Sequence, residues 1–246
     1  MNVQAGAARK VALVFGGSRG IGAAAVERLA QEGHAVAFTY VSRPDAAGAL
    51  VGKIGEAGGE VLAIQADSAD PAAIRSAVEQ AVAHFGGLDT VVVNAGILRL
   101  GPVDTVSLEE LDQMIAINIR GVFLAIQAAA AHLPEGGRII TIGSNTAVRT
   151  GFPGSSVYQF TKAAVAAMVK GIALDLAPRG ISVNNVQPGP TATDMTADAL
   201  DMLVEKSPMR RVGRPAEIAG LIAWLAGPDA GYMTGESLTI DGGWVL

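Results

Sequence analysis

The chain has no cysteine, few aromatic residues and no excess of basic charge. The lack of cysteine excludes disulfides, thiol nucleophiles and thiolate metal sites. Only three histidines are present, and His34, His84 and His132 lie too far apart in sequence to show the spacing of a metal site. The net charge of -5 argues against nucleic acid or an anionic membrane as the main partner.

Long apolar segments are missing as well. Residues 1–9 lack the hydrophobic core of a signal peptide, and no later stretch looks apolar for long enough to span a membrane. We therefore expect a cytoplasmic protein without membrane contacts, in which residues 1–9 form an N-terminal tail.

Half of the 246 residues are hydrophobic, and short apolar runs alternate with longer helical patterns. The runs predicted as strands are Lys10–Phe15, Ala35–Tyr40, Val61–Gln65, Thr90–Asn94, Arg138–Ile142, Ser182–Val186 and Ser237–Ile240. The patterns predicted as helices are Ile21–Glu32, Asp45–Ala57, Pro71–Phe85, Leu108–Leu133, Tyr158–Ala177 and Ala216–Leu225. This alternation predicts an α/β fold: one domain, residues 1–246, on a doubly wound parallel sheet of seven strands with helices on both faces. Ligands of such sheets bind beyond the carboxyl ends of the strands.

A glycine-rich loop follows the first predicted strand. It reads Gly16-Gly17-Ser18-Arg19-Gly20-Ile21-Gly22 and leads into a predicted helix. Glycine lets the chain turn sharply and lets backbone N–H groups at a helix N-terminus approach a pyrophosphate. The loop therefore predicts a dinucleotide site, although a purely structural turn would use the same glycines. The residues predicted to bind are Gly16, Ser18, Arg19, Gly20 and Ile21.

The second predicted strand ends in Tyr40-Val41-Ser42-Arg43, without the acidic residue that usually binds an adenosine ribose. Arg19 and Arg43, with Ser42, can instead face a 2′-phosphate, whose charge suits a guanidinium fork. We therefore predict NADPH/NADP+ as the cofactor, with Tyr40 in the same pocket. Arg43 could alternatively be a solvated residue before Pro44.

Polar residues also follow the next two predicted strands. Asp67, with Ser68 beside it, could bind the adenine amino group or could only start the turn into the next helix. The residues of Asn94-Ala95-Gly96 are small enough for a cofactor to pass across them. Farther on, Asn118 lies in an apolar run, where a buried amide must find hydrogen bonds. We expect it to bind backbone or water near the site, or only to mark a helix kink.

Tyr158 and Lys162 lie four residues apart, on one face of a predicted helix. A nearby ammonium favours a phenolate, so the pair could act as general acid and base with a lowered tyrosine pKa. An ordinary amphipathic helix would show the same spacing. Ser144 follows the fifth predicted strand, and the loop after it leads the chain back to this helix.

All these motifs in this order resemble a short-chain dehydrogenase/reductase of the classical type, from about Lys10 to the end of the chain. They are Gly16-x-x-x-Gly20-x-Gly22, Asn94-Ala95-Gly96, Asn118, Ser144, Tyr158-x-x-x-Lys162 and Pro188-Gly189 followed by Thr193. The resemblance, closest to carbonyl reductases like the 3-oxoacyl-carrier-protein reductases, implies a Rossmann fold and reduction of a ketone to a secondary alcohol.

The resemblance also implies a role for each motif residue. Tyr158 would protonate the carbonyl oxygen as hydride arrives from the nicotinamide, and Ser144 would hydrogen-bond that oxygen. Lys162 would lower the pKa of Tyr158 and hold the nicotinamide ribose, and Asn118 would anchor a water that resupplies the proton. The residues implied at the nicotinamide end are Pro188, Gly189, Thr191 and Thr193.

Two positions depart from the family pattern. Phe15 stands where a threonine usually braces the glycine loop, and Gly143 precedes Ser144 where a second serine is frequent. Other hydroxyls therefore remain alternatives to Ser144, namely those of Thr141, Ser155 and Ser156.

The predicted cleft is apolar, and residues 190–209 are expected to form a mobile lid over it. These features suggest a small or medium ketone with apolar substituents. A carrier-bound 3-oxoacyl substrate is the alternative, but the helix end 131–135 lacks a basic run for an acidic carrier, although Arg179 remains. The apolar candidates are Ile97, Leu98, Val148, Phe152, Met195, Met202 and Leu203.

The helical stretches Gly121–Ala131 and Ala163–Ala177 are apolar on nearly all sides. One face of the sheet cannot cover so much apolar surface, which implies partner helices. In the resembling family the same helices build a dimer, and the apolar end 241–246 could tuck into a neighbour, so we predict a homotetramer. A non-catalytic nucleotide-binding regulatory protein is the alternative from another functional class. It would have no need of Tyr158 and Lys162.

Overall fold

A computed structural model describes residues 9–246, so most of the predicted N-terminal tail lies outside the described residues. Seven parallel strands form one sheet in the order β3-β2-β1-β4-β5-β6-β7. The predicted seven-stranded, doubly wound sheet is thus confirmed. Its strands are β1 Val11–Phe15, β2 Ala35–Tyr40, β3 Val61–Gln65, β4 Thr90–Val93, β5 Arg138–Ile142, β6 Ser182–Pro188 and β7 Ser237–Ile240.

Helices cover both faces of the sheet, as the alternating pattern predicts. One core packs α3, α5 and α6 on the sheet, and the other packs α1, α2 and α8 on the opposite face. The helices are α1 Gly20–Gln31, α2 Pro44–Glu56, α3 Pro71–Phe85, α4 Leu108–Ile115, α5 Val122–Ala130, α6 Ser156–Leu176, α7 Leu200–Lys206 and α8 Pro215–Ala226.

Local sequence explains the ends of several helices. Asp70 caps α3 by accepting a hydrogen bond from the N–H of Ala72 at 2.8 Å, and Gly86 ends that helix with a φ of +81°. Ser107 and Glu110 form a capping box that starts α4. Asp70 and Ser107 each lie between a strand and the helix that follows it, so both helix starts lie at the carboxyl edge of the sheet.

The predicted helix Leu108–Leu133 is not a single regular helix. A π-helical segment, Ala116–Gly121, separates α4 from α5, and α5 ends at Ala130. Contrary to the sequence prediction, the stretch Leu108–Ala130 is long and apolar enough to match a membrane span by length and composition. Its residues Met114, Val122 and Ile126 are instead buried in the protein core, which accounts for the apolar composition.

Candidate active site

The glycine turn between β1 and α1 is held by side chains from two other strands. The N–H of Gly16 donates to the hydroxyl of Thr39 at 2.9 Å, and the amide of Asn94 donates to the carbonyl of Gly16 at 2.7 Å. Thr39 is buried at the end of β2. The Thr39 hydroxyl therefore stabilises the turn in place of the threonine that the family usually has at position 15. The turn is supported although residue 15 is phenylalanine.

The turn leaves room for a ligand at the start of α1. Gly16 has a φ of +74°, and a Cβ there would lie 2.8 Å from the Cα of Ala95. Arg19 precedes α1 in an extended conformation, and no side chain caps the helix. The uncapped N–H groups and the positive end of the helix dipole suit a phosphate, so the turn fits the pyrophosphate of a dinucleotide.

A groove of about 620 Å³ runs along the carboxyl ends of the strands from this turn. Fourteen of the predicted cofactor residues line it: Gly16, Ser18, Arg19, Gly20, Ile21, Tyr40, Ser42, Arg43, Asp67, Ser68, Asn94, Ala95, Gly96 and Thr193. Sequence reasoning missed others that line it: Thr39, Val41, Ala66, Arg99, Gln113, Ile117 and Asp194. Several of these sit at strand ends, which is the signal that could have found them.

Two arginines lie at one side of this groove. Arg43 forms a two-pronged contact with Asp45, with both distances 3.2 Å, and this carboxylate raises the pKa of the guanidinium. Arg19 lies 3.4 Å from Asp194, and both side chains are exposed. Arg43 is therefore paired and not simply solvated. Exposed pairs of this kind are weak enough for a phosphate to compete for the guanidinium groups.

Asp67 starts the turn that leads into α3, which is one of the two roles the sequence allows for it. Its carboxylate accepts from the N–H of Ala69 at 2.8 Å, while its side chain also lines the groove. Adenine binding by Asp67 stays a prediction.

The π-helical segment carries Asn118, which is fully buried. Its amide pairs with the backbone of Ile97 in both directions at 2.9 Å and donates to the hydroxyl of Thr161 at 3.2 Å. The amide of Asn118 therefore binds backbone, as predicted, and does more than mark the distortion of the helix around it. A π-helical turn inserts one extra residue and often marks a functional site.

Gly96 connects the groove to this buried amide. A Cβ on Gly96 would lie 3.4 Å from the Oδ1 of Asn118 and 3.4 Å from the Nζ of Lys162. The lack of a side chain at Gly96 thus brings the wall of the groove close to both polar groups.

Ser144, Tyr158 and Lys162 converge where β5 ends beside α6. The hydroxyl of Ser144 lies beside the phenol of Tyr158, accepts from the Thr146 hydroxyl at 2.9 Å and donates to the Oδ1 of Asn145 at 3.5 Å. Lys162 is buried, donates to the Ile142 carbonyl at 2.8 Å, and its Nζ lies 5.7 Å from the centroid of the Tyr158 ring. The serine, the phenol and the ammonium form one cluster.

The alternative hydroxyls have other partners. Thr141 donates to Asn185 at 3.0 Å within the sheet, and Ser155 donates to the carbonyl of Phe152 at 2.8 Å. Ser156 is exposed at the start of α6. Ser144 is therefore the serine that the fold brings to Tyr158.

Burial dominates the electrostatics of this cluster. It raises the pKa of Tyr158 to about 12, and the hydrogen bond from Ser144 offsets only part of the rise. Burial also lowers the pKa of Lys162 to about 8. The sequence predicted a lowered tyrosine pKa, and this is wrong for the structure, in which desolvation of the phenol makes the largest contribution and raises the pKa.

The predicted lid contains structure that the sequence did not reveal. A 3-10 segment, Asp194–Ala199, leads into α7, and the hydroxyl of Thr196 ties this segment to the carbonyl of Thr191 at 2.6 Å. Among the apolar cleft candidates, Ile97, Leu98 and Met195 line the groove, Val148 and Met202 are exposed, and Phe152 is half-buried. Leu203 is buried on α7, and its position at the cleft stays a prediction.

Three residues predicted at the nicotinamide end, Pro188, Gly189 and Thr191, do not line the groove, whereas Thr193 does. Pro188 ends β6, and the N–H of Gly189 donates to the carbonyl of Ile240 at 3.0 Å. Thr191 is buried and donates to the carbonyl of Gly189 at 2.9 Å. Thr193 faces Gly20 across the groove, at 3.2 Å from a Cβ placed there.

Among residues 9–246, no group of three or more His, Asp or Glu side chains lies close enough together to hold a metal ion.

The sheet order and the glycine turn define a nucleotide-binding fold of the Rossmann type. Residues 16–245 match the profile of a family described as enoyl-(acyl carrier protein) reductase. The chain belongs to the short-chain dehydrogenase/reductase family.

Two relatives and two solved structures illustrate this membership. A cyclic-di-GMP-binding biofilm dispersal mediator protein of Escherichia coli is 43% identical over 236 residues, which are 95% of this chain and 96% of the relative. A versicolorin reductase of Emericella nidulans is 39% identical over 250 residues, covering 95% of each chain.

A short-chain dehydrogenase/reductase of Serratia marcescens has a TM-score of 0.94 and 55% identity, over 96% of this chain and 98% of that one. A short chain dehydrogenase of Burkholderia cenocepacia, solved in complex with NADP, has a TM-score of 0.92 and 46% identity over the same shares.

Proposed function

We propose that the protein is an NADPH-dependent oxidoreductase that reduces a ketone to a secondary alcohol. The observation that carries this proposal is the cluster of Ser144, Tyr158 and Lys162, whose lysine lies beside Gly96 in the wall of a groove that fits a dinucleotide. When bound, the reduced nicotinamide supplies a hydride to the carbonyl carbon. The chain itself supplies the proton and holds the reacting atoms.

Tyr158 is the proton donor in this proposal. The phenol carries its proton at neutral pH and would give it to the carbonyl oxygen as the hydride arrives. Ser144 donates a second hydrogen bond to that oxygen and stabilises the charge that develops there.

Lys162 and Asn118 complete the proposed site. Lys162, with a pKa lowered to about 8, exchanges its proton near neutral pH, and it would also hold the nicotinamide ribose. Asn118 would anchor a water between Lys162 and solvent, and both side chains lie next to Gly96, which lines the groove. Gly189 and Thr191 would shape the nicotinamide end through their backbone.

The preference for NADPH over NADH rests on charge. Arg19 and Arg43 line the groove beyond β2, where no acidic side chain from that strand would repel a 2′-phosphate. The complex of the Burkholderia cenocepacia relative with NADP supports this choice.

The proposed substrate is a free ketone of small or medium size with apolar substituents. Ile97, Leu98 and Met195 give the groove an apolar lining next to the cluster. Arg179, the residue that could have favoured an acidic carrier protein, donates to the carbonyls of Ala130 and Leu133 at 2.8 Å and so caps α5. A relative named as a versicolorin reductase supports reduction as the reaction.

The test is a fluorescence titration with NADPH and NADH, followed by a panel of ketones, diketones and a 3-oxoacyl thioester. We expect tighter binding of NADPH, and NADPH oxidation by a free ketone. Equal affinity for both cofactors would refute the arginine argument. Turnover of the thioester alone would favour the carrier-bound alternative.

A second candidate function is nucleotide binding without turnover. The Escherichia coli relative is named as a cyclic-di-GMP-binding mediator, which is a specific observation in its favour. Calorimetric titration with cyclic di-GMP distinguishes the two: binding of cyclic di-GMP together with no turnover of any carbonyl compound would favour the regulatory function.

We also propose a homotetramer. Phe123 on α5, with Phe160 and Leu174 on α6, remain exposed in the single chain, and Leu174 is 77% exposed. Large apolar side chains on two neighbouring helices favour a partner surface. Sedimentation showing a stable monomer at working concentrations would overturn this proposal.

A further inference from the structure

Thr161 carries a buried hydroxyl that the proposed reaction does not use. It lies on α6 between Tyr158 and Lys162, and its relative exposure is 0%. A polar side chain at such depth has its hydrogen-bond partners within the protein, because water does not readily reach it. These partners show which parts of the site the hydroxyl connects.

The Thr161 hydroxyl bonds to two residues of the proposed site. It donates its proton to the backbone carbonyl of Tyr158, one turn earlier on α6, at 2.7 Å. Its oxygen accepts from the side-chain Nδ2 of Asn118 at 3.2 Å. This second bond leaves α6 and reaches the π-helical segment Ala116–Gly121. The hydroxyl thus connects the turn that carries Tyr158 to the separate element that carries Asn118.

The bond to Thr161 uses the last donor of the Asn118 amide. The amide has two N–H groups, and the carbonyl of Ile97 accepts the other one at 2.9 Å. The backbone N–H of Ile97 donates to the Oδ1 of Asn118 at 2.9 Å, and because a backbone N–H can only donate, this bond fixes which way the amide faces. A single acceptor position, on Oδ1, is left for another molecule.

That acceptor lies near Lys162 and next to the groove. The Oδ1 of Asn118 and the Nζ of Lys162 each lie 3.4 Å from a Cβ placed on Gly96, which lines the groove. A water bound by the two side chains would accept from the ammonium and donate to the Oδ1. The position of such a water depends on the Asn118 amide, whose third hydrogen bond comes from Thr161.

A threonine in a helix often bonds to a carbonyl one turn earlier, and that bond alone would affect only the helix. Thr161 does more, because its oxygen also accepts from a different element. Loss of the hydroxyl would leave one N–H of the fully buried Asn118 amide without an acceptor.

We propose that Thr161 is a positioning residue for carbonyl reduction, which fixes the Asn118 amide relative to the turn of α6 that carries Tyr158. This inference rests on the proposed function.

The test compares Thr161→Val with Thr161→Ser. Valine keeps the shape of threonine and loses the hydroxyl, whereas serine keeps the hydroxyl and loses the methyl group. Both changes should lower stability in urea, valine through the unpaired N–H of Asn118 and serine through a small cavity. A loss of stability therefore does not by itself explain a difference in activity between the two variants. Thr90→Val is the matched control, because Thr90 is also buried but lies at the amino end of β4, at the opposite edge of the sheet.

We expect Thr161→Val to lower kcat by about 10- to 100-fold with little change in NADPH affinity, because the reacting groups lose their alignment. The solvent deuterium isotope effect on kcat should rise, since Asn118 would anchor the water that resupplies the proton. Thr161→Ser and Thr90→Val should keep kcat and the isotope effect near wild type. The double variant of Thr161→Val with Asn118→Ala should be no slower than Asn118→Ala alone.

An unchanged kcat in Thr161→Val would refute the proposal, and so would an equal loss in Thr161→Ser, which retains the hydroxyl. A fall in kcat without a larger isotope effect would give Thr161 a merely structural role and overturn the proposal. Multiplying losses in the double variant would refute the route through Asn118.

A second readout needs no turnover. The N–H of Ile97 donates to the Oδ1 of Asn118, so its hydrogen exchange reports whether the amide is held in place. In peptides that contain Ile97, mass spectrometry should show exchange at least about tenfold faster in Thr161→Val and near wild type in Thr161→Ser and Thr90→Val. Exchange equal to wild type in Thr161→Val would overturn the inference. If wild type reduces no ketone, the proposed function fails, and the exchange at Ile97 still decides whether Thr161 holds Asn118.

Discussion

Gly22→Ala tests the cofactor turn most sharply, because the turn leaves no space for a methyl group. Gly22 lies in the first turn of α1, and its Cβ would overlap the carbonyl of Gly16 and lie 2.6 Å from the amide nitrogen of Asn94. These two groups are hydrogen-bonded to each other at 2.7 Å. Overpacking costs about 1–3 kcal/mol, and loss of the hydrogen bond adds about 1 kcal/mol. We expect the free energy of unfolding to fall by about 2–4 kcal/mol.

Gly52→Ala in α2 is the matched control. Nothing lies within 4 Å of a Cβ at Gly52, and alanine inside a helix adds about 0.5–1 kcal/mol of stability. Urea unfolding measures both variants, and NADPH titration of the folded proteins should show at least about tenfold weaker binding for Gly22→Ala only. If Gly22→Ala matches wild type in both stability and NADPH affinity, the account of the turn is wrong.

Three further predictions use other side chains of the site. Thr39→Val leaves the N–H of Gly16 without its acceptor, so the free energy of unfolding in urea should fall by about 1–3 kcal/mol and NADPH should bind more weakly. If neither the free energy of unfolding nor the NADPH affinity changes, Thr39 does not brace the turn. Arg43→Ala should weaken NADPH binding by about 10- to 100-fold and leave NADH binding unchanged, whereas equal losses for both cofactors would contradict a 2′-phosphate contact. Lys162→Met should abolish reduction. It should also raise the free energy of unfolding at pH 7 by about 1–2 kcal/mol, because the substitution removes a buried ammonium and loses only one hydrogen bond, to Ile142. The pKa of Lys162 is 10.5 in the unfolded chain and about 8 in the folded protein, so between these pH values the unfolded state binds more protons and wild-type stability rises with pH. In unfolding scans, the stability gained by Lys162→Met should therefore disappear by about pH 10.5. A gain that increases with pH would contradict the lowered pKa of Lys162.

The sequence predicted the sheet and the place of the site for one physical reason. Parallel strands are buried on both faces, so they read as short continuous apolar runs such as Thr90–Val93, and their carboxyl ends meet at one edge. The sequence therefore places residues as distant as Gly16 and Asn94 at one groove, and the structure has both in its lining.

The features that sequence reasoning missed depend on contacts between distant segments. The hydroxyl of Thr39 braces a turn 23 residues earlier, which no local pattern reveals. The π-helical segment Ala116–Gly121 shifts the helix by one residue inside a run that is apolar on most sides, so the period does not change visibly. The sign of the Tyr158 pKa shift follows from the depth of burial, which sequence spacing alone does not give.

Replacement of Tyr158 by phenylalanine tests the central claim most directly. The measurement is the rate of NADPH oxidation, followed by the absorbance of the reduced nicotinamide, with a ketone that wild type accepts. We predict a fall in kcat of about 100- to 10,000-fold with unchanged NADPH affinity, because only the proton donor is lost. A variant that reduces the ketone as fast as wild type would contradict the assignment of Tyr158 as the proton donor.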